Sequence, residues 1–312
     1  MKRLRLGITV LAMLGLLASA AWAADGAAQK PAPAPRPWAP MGTSFGPSGS
    51  GMPAGIFAVG GNFQYGESDN VRKYGGKMND SVSVQKAMEF FKMRYGIMEG
   101  LDIRTTTPIY NVHVDRQVGS DRTNYGFGDT TILLHSVILN QDKGDPFYLA
   151  VDYGGTVPTA SVGEHSVDAI GNDAWGLMGG VGATYFLDSH RFDMEINYAT
   201  FAEGAHDFTK ADRVRWNVGY AYAINTMFDI GVESNFEWND ENELHGVKQK
   251  DANYEWYAGP KLVYKCKPWG VNFAVAGMLP LERWYQNTKT GSDDYRFMFK
   301  VIKFFDVGTF FD

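Results

Sequence analysis

The chain has 312 residues, a formal net charge of −6, 14% aromatic residues and a single cysteine, Cys266. That acidic balance gives no electrostatic case for nucleic acid, whose binding depends on clustered Lys and Arg. One cysteine excludes an internal disulfide or a thiolate metal cluster and leaves a lone, partly buried thiol near a turn. Thirty-six glycines and a mean hydropathy of −0.25 suit β-structure, in either a membrane barrel or a secreted sandwich.

Lys2, Arg3 and Arg5 precede an uncharged apolar run over residues 6–20, and Ala21-Trp22-Ala23 follows as a small-x-small cleavage site. Residues 1–23 are therefore expected to leave as a signal peptide, with the mature chain beginning at Ala24. The run is too short for a membrane-spanning helix of about 20 residues. Three cations leave with it, taking the net charge from −6 to −9. Nothing after Ala24 has the length and apolarity of a spanning helix, so any return to a membrane must use strands. Only helices and closed barrels satisfy every backbone N–H and C=O in hydrocarbon.

Residues 24–53 contain Pro31, Pro33, Pro35, Pro37, Pro40, Pro47 and Pro53. Ala-Pro alternation favours extended polyproline II without ladder hydrogen bonds, so this stretch is expected to be a mobile or loosely docked periplasmic linker. A Pro-rich peptide that binds a partner or the cell wall is the alternative.

The barrel itself is assigned to residues 54–312. Period-two alternation and Gly, Pro, Asn and Asp breaks place strands near 55–65, 83–97, 101–113, 129–140, 146–157, 174–187, 191–201, 213–224, 227–239, 252–265, 271–285 and 294–305. The even number suits a single-chain bacterial barrel. Short connections at 98–100, 141–145, 188–190, 225–226 and 267–270 alternate with long polar ones at 66–80, 114–128, 158–173, 202–212, 240–251 and 286–292. An outer-membrane barrel sorts its connections this way, with short turns inside and long loops outside.

Side-chain parity identifies the wet face. Phe192, Met194, Ile196 and Tyr198 share one side, opposite Asp193, Glu195 and Asn197; the next two strands repeat the division. Strands of eleven to fourteen residues fit a tilted crossing of about 9–11 residues plus a rim. Tyr185, Phe186, Phe201, Trp216, Trp238, Tyr264, Trp269, Trp284 and Tyr285, near strand ends, fit interfacial girdles. The expected fold is thus an all-β, antiparallel up-and-down transmembrane barrel of about 12 strands.

Tyr95-Gly96, Gly100-Leu101-Asp102-Ile103, Pro108, Gly126-Phe127-Gly128-Asp129 and Val157-Pro158-Thr159 resemble the outer-membrane family named for the meta-cleavage pathway of phenol degradation. The resemblance runs from about Gly55 onward. This chain has Ala160 where that family tends to carry Gly, and Asp312 follows the Phe304-Phe305 and Phe310-Phe311 pairs. The resemblance implies a transporter-like outer-membrane channel for hydrophobic or aromatic small molecules, with membrane lipid, solute and the barrel-assembly machinery as partners. In their own right, Gly126, Gly128, Asp129 and Pro158 mark corners where long loops meet strands, a structural role. No helix follows Gly126-Phe127-Gly128, so a dinucleotide site is not supported.

The lumen-lining candidates are Lys86, Lys92, Arg94, Arg104, Arg213, Arg215 and Lys261, with Asp102, Asp152, Asp193, Glu195, Asp229, Glu233, Glu237 and Glu255. Interspersed signs describe either a neutralised, hydrated wall or a charge-lined constriction in a narrow path. No cofactor is implied. Of six histidines, His135 lies within a strand, but its neighbour Ser136 must face the other way and cannot pair with it. His165-Ser166 falls in a loop, and His206 with Asp207, or His245 with Glu243, lacks a third ligand at a diagnostic spacing. The expectation is a channel rather than an enzyme. A loop-presenting scaffold or adhesin and, further off, a lipid hydrolase are the alternatives.

Overall fold

The computed structural model describes residues 42–43, 49–69, 71–73, 76–78, 82–116, 121–162, 171–287, 289–290 and 292–309. Residues 1–23, expected to be a signal peptide, His165-Ser166 and most of the Pro-rich stretch fall outside these residues.

Twelve antiparallel strands close into a barrel. They are β1 (Ile56–Ser68), β2 (Val82–Met98), β3 (Leu101–Arg116), β4 in two limbs (Arg122–Phe127 and Thr130–Leu139), β5 (Tyr148–Val157) and β6 (Gly176–Leu187). There follow β7 (His190–Phe201), β8 (Arg213–Ala223), β9 (Phe228–Asn239), β10 (Asn253–Cys266), β11 (Val271–Tyr285) and β12 (Tyr295–Asp306). Each strand pairs with its sequence neighbours, and β1 pairs with β12 from Ile56↔Asp306 to Glu67↔Tyr295, which removes the free sheet edges. Strands about 4.8 Å apart and tilted about 40° give a cylinder roughly 24 Å across its backbone.

Parity explains why these residues form this wall. In β7, Phe192, Met194 and Ile196 are 44%, 51% and 49% exposed, whereas Arg191, Asp193, Glu195 and Asn197 are all below 9%. The apolar residues are thus outside and the polar ones inside, the reverse of a soluble protein and the arrangement that hydrocarbon requires. Outward aromatics gather in belts. Tyr185, Phe192 and Tyr220 contact one another towards the short-turn end, as do Phe228, Tyr264 and Phe273, while Phe236, Tyr254 and Trp284 do so towards the loop end. Three expected girdle residues do not belong there. Phe186, Phe201 and Tyr285 have inward parity; Phe186 packs on Tyr148 with ring centroids 5.9 Å apart.

The connection at 114–128 also differs from expectation. The β3 ladder continues upward to pair with Arg122–Phe127, which leaves 117–121 as the connection. Pro108 and Gly128 explain the interruption of β4. The ladder runs Thr106↔Thr131 below and Ile109↔Phe127 above, so one extra residue of β4 bulges between them. Proline has no N–H to donate there, and its carbonyl accepts from Gly128 N at 2.8 Å instead. A Cβ on Gly128 would lie 2.7 Å from the Tyr110 ring and 2.8 Å from Pro108 Cγ, so this close approach requires glycine. At the loop end, short ribbons join 71–73 with 76–78 and 289–290, and 243–244 with 208–209 and 247–248.

Candidate functional site: the bore

Register places every lumen-lining candidate on the inward parity of its strand. Most meet an opposite charge. Asp229 receives Lys265 Nζ at 2.6 Å, Glu233 receives Lys261 Nζ at 2.7 Å, and Asp193 receives Arg191 Nε at 2.7 Å. Asp102 takes Arg94 at 2.6 Å and Arg104 at 2.9 Å, and Arg215 bonds Glu237. Near the loop end Arg296 reaches Asp293 at 2.8 Å and Glu255 at 3.0 Å, and Lys86 reaches Asp293 at 3.1 Å. Pairing of this kind offsets the cost of holding charges in a narrow, poorly hydrated space. Arg191, Lys265, Asp293 and Arg296 were not among the candidates, although the first two follow from the parity of Asp193 and Lys261.

The second feature of the bore is apolar, and parity would have found it too. Met88 and Phe90 lie on the β2 parity of Lys86, Lys92 and Arg94, opposite Tyr110 and Pro108 of β3. Two to four strands round the wall, past β1, Tyr257, Ala276, Met278 and Met298 form a buried inward cluster. Arg296 lies over the Tyr257 ring at 3.7 Å, joining this patch to the charges beside it.

The described part of the Pro-rich stretch lies inside the barrel near its short-turn end. Met52 N donates to Asp102 Oδ2 at 3.0 Å, Arg94 Nη2 to Ser50 O at 2.9 Å and Gly49 N to Thr184 Oγ1 at 2.9 Å. Deeper in, Lys261 Nζ donates to Gly42 O at 2.9 Å and Lys300 Nζ to Thr43 O at 3.2 Å. The arm thus touches β2, β3, β6, β10 and β12, and its contacts reach across the bore. Gly96 admits it: a Cβ there would lie 2.0 Å from the carbonyl oxygen of Pro53.

At the opposite end Asp129 anchors a loop. Its Oδ1 accepts from Thr159 N and Ala160 N, both at 3.2 Å, and its Oδ2 from Asn172 N at 3.1 Å. Thr159 Oγ1 adds bonds to Gly128 O and Thr130 Oγ1. Pro158-Thr159 and Gly128-Asp129 therefore act as one clasp, pinning both ends of the 158–172 segment to the β4 bulge. Asp129→Ala leaves three N–H groups without their carboxylate, at about 1 kcal/mol or more each. The expected result is new protease cleavage within 158–172 while the barrel keeps its heat-modifiable gel mobility. A cleavage pattern like the parent's would show that the clasp does not hold the loop.

Lys210, in the loop leading to β8, and Arg213 both lie over the Phe201 ring, at 5.1 and 5.8 Å. Burial, and then the neighbouring Arg213, lower the Lys210 ammonium to about 8. These cations, with Arg215, line the bore near its loop-end mouth.

Hydrolytic chemistry finds no support among the described residues. His135 is buried on the inward side, with Nδ1 2.9 Å from Asp152 Oδ1, while Ser136 Oγ bonds Tyr153 OH on the outer side. His245 pairs with Asp207 at 3.0 Å, and no group of three metal-ligating side chains occurs among the described residues. Cys266 is buried at the end of β10.

A closed barrel with an apolar outer belt and a polar interior is an outer-membrane protein. The chain is similar to the COG4313 outer membrane channel from Pseudomonas putida F1, at 13% identity and a TM-score of 0.69, covering 82% of this chain and 97% of that one. It also matches the translocator domain of autotransporter NalP from Neisseria meningitidis (10% identity, TM-score 0.46, 81% and 89% covered) and the CymD monoaromatic hydrocarbon channel (10%, 0.38, 81% and 89%). At those scores no argument rests on these two. No curated protein matches the chain. The family described as "Putative MetA-pathway of phenol degradation" matches residues 60–293, and the chain belongs to that family.

Proposed function

We propose that the barrel is a passive conduit for small apolar or aromatic solutes across the outer membrane. The observation that carries this reading is the apolar side of the bore, with Met88, Phe90, Pro108 and Tyr110 on β2 and β3 and Tyr257, Ala276, Met278 and Met298 on β10 to β12, joined by the row Met88, Gln64 and Met298 across β1. A hydrophilic pore gains nothing from such patches, whereas an apolar solute exchanges water for them. Neutralised charges beside the patches keep the path hydrated without a strong field of either sign. The matched channel from P. putida and the family's link to phenol degradation agree with this reading.

The test is solute flux into vesicles that contain lipopolysaccharide and the purified barrel. Uptake of phenol and toluene is expected to rise several-fold over protein-free vesicles, with little change for a sugar of similar size. A folded barrel that speeds neither aromatic solute overturns the proposal and favours a scaffold that acts through its loops.

A further inference from the structure

We infer that the bore contains a recognition site for a neutral hydroxyl group, formed by Arg104, His135, Asp152 and Glu195, so that alcohols and phenols are preferred over bare hydrocarbons and carboxylates. The inference rests on the conduit reading and names the solute chemistry within it.

These residues come from β3, β4, β5 and β7, and their polar atoms are incompletely used. Arg104 Nε is committed to Asp102 Oδ1 at 2.9 Å and His135 Nδ1 to Asp152 Oδ1 at 2.9 Å. Arg104 Nη1 and Nη2, His135 Nε2, Asp152 Oδ2 and Glu195 Oε2 are all buried and without a hydrogen-bond partner. Isolated buried atoms of this kind are rare and costly, and five in one cluster describe a place for a polar guest. Space for it comes from β6, which sets Gly180 against Asp152 and Gly182 against Glu195 and so projects no side chain between them.

The set fixes the guest's chemistry. Arg104 can only donate, and Asp152 Oδ2 and Glu195 Oε2 present carboxyl oxygens as acceptors, so a group that does both fits between them, and a hydroxyl is the smallest such group. A carboxylate guest has no proton to give Asp152 Oδ2 and leaves that acceptor unpaired. A hydrocarbon would leave all five atoms as they are. The guest's apolar part has Leu133 beside it and Phe90 and Pro108 on the loop side, while the arm at Ser50 and Met52 lies on the other side of Asp102 and Arg94.

Equilibrium dialysis against the full mature chain in lipid nanodiscs tests this, with empty nanodiscs correcting for partition into lipid. The probes are radiolabelled benzyl alcohol, toluene and benzoate. Benzyl alcohol is expected to bind saturably at one site per chain, about tenfold or more tighter than the other two. Glu195→Gln and Arg104→Met are each expected to abolish that preference and leave toluene binding unchanged. If Arg104→Met loses its heat-modifiable mobility, Arg104→Lys replaces it, since it keeps the charge but not the paired Nη donors. Equal binding of benzyl alcohol and toluene, or a preference that survives both substitutions, shows that the five atoms are merely hydrated and overturns the inference. Either outcome can occur with vesicle flux intact, so it is distinguishable from failure of the conduit itself.

Discussion

Removal of residues 24–51 is expected to raise single-channel conductance several-fold. A twelve-stranded cylinder already loses much of its width to inward side chains, and the arm crosses what remains near the short-turn end, held by five hydrogen bonds in which Asp102 and Thr184 accept and Arg94, Lys261 and Lys300 donate, all but the Asp102 bond to Met52 lost on truncation. Each such bond is worth about 1 kcal/mol net, enough to seat the arm and too little to fix it permanently. Planar-bilayer recordings of the truncated and full-length proteins, both with heat-modifiable mobility, provide the measurement. Equal conductance would mean that ions already bypass the arm and that it is not the main obstruction.

The second large effect concerns sign selectivity. Arg215 is bonded to Glu237, and Arg213 and Lys210 flank them over Phe201. Replacing both arginines with alanine removes two cations and leaves Glu237 with the Asn239 amide, at 3.2 Å, as a remaining partner. The reversal potential in a salt gradient is expected to move towards cation preference. A related pH effect follows in the parent protein. Lys210 is charged below about 8 and neutral above it, so the reversal potential is expected to move towards cation preference as pH rises through that value. A reversal potential unmoved by the double substitution would show that these residues only hydrate the wall.

Much of the barrel was legible in the sequence because hydrocarbon outside and water inside impose opposite demands on alternate residues. Phe192, Asp193, Met194 and Glu195 face as their order requires, and the strand edges fall close to where glycine, proline and asparagine interrupt the pattern. Composition alone misleads where a bore contains apolar residues. Phe90 and Met88 belong to the lumen by parity, yet their chemistry suggests the outer wall, and Phe186 and Tyr285 fit a girdle equally well until register turns them inward. The seating of the arm could not be read at all, because it depends on tertiary proximity: nothing near Ser50 or Met52 in the sequence names Arg94 and Asp102 as partners. The clasp at Asp129 lay between these cases. Its glycine-aspartate corner was visible, but the loop backbone it holds lies about 30 to 43 residues away.

Photolabelling with a small aromatic diazirine, mapped by mass spectrometry on the protein in lipid, tests most directly whether the bore takes apolar solute. Labels that excess unlabelled toluene or phenol competes away are expected on Met88, Phe90, Met278 and Met298. Labels confined to outward residues such as Leu262, Val275 and Phe297, with none inside, would contradict the account.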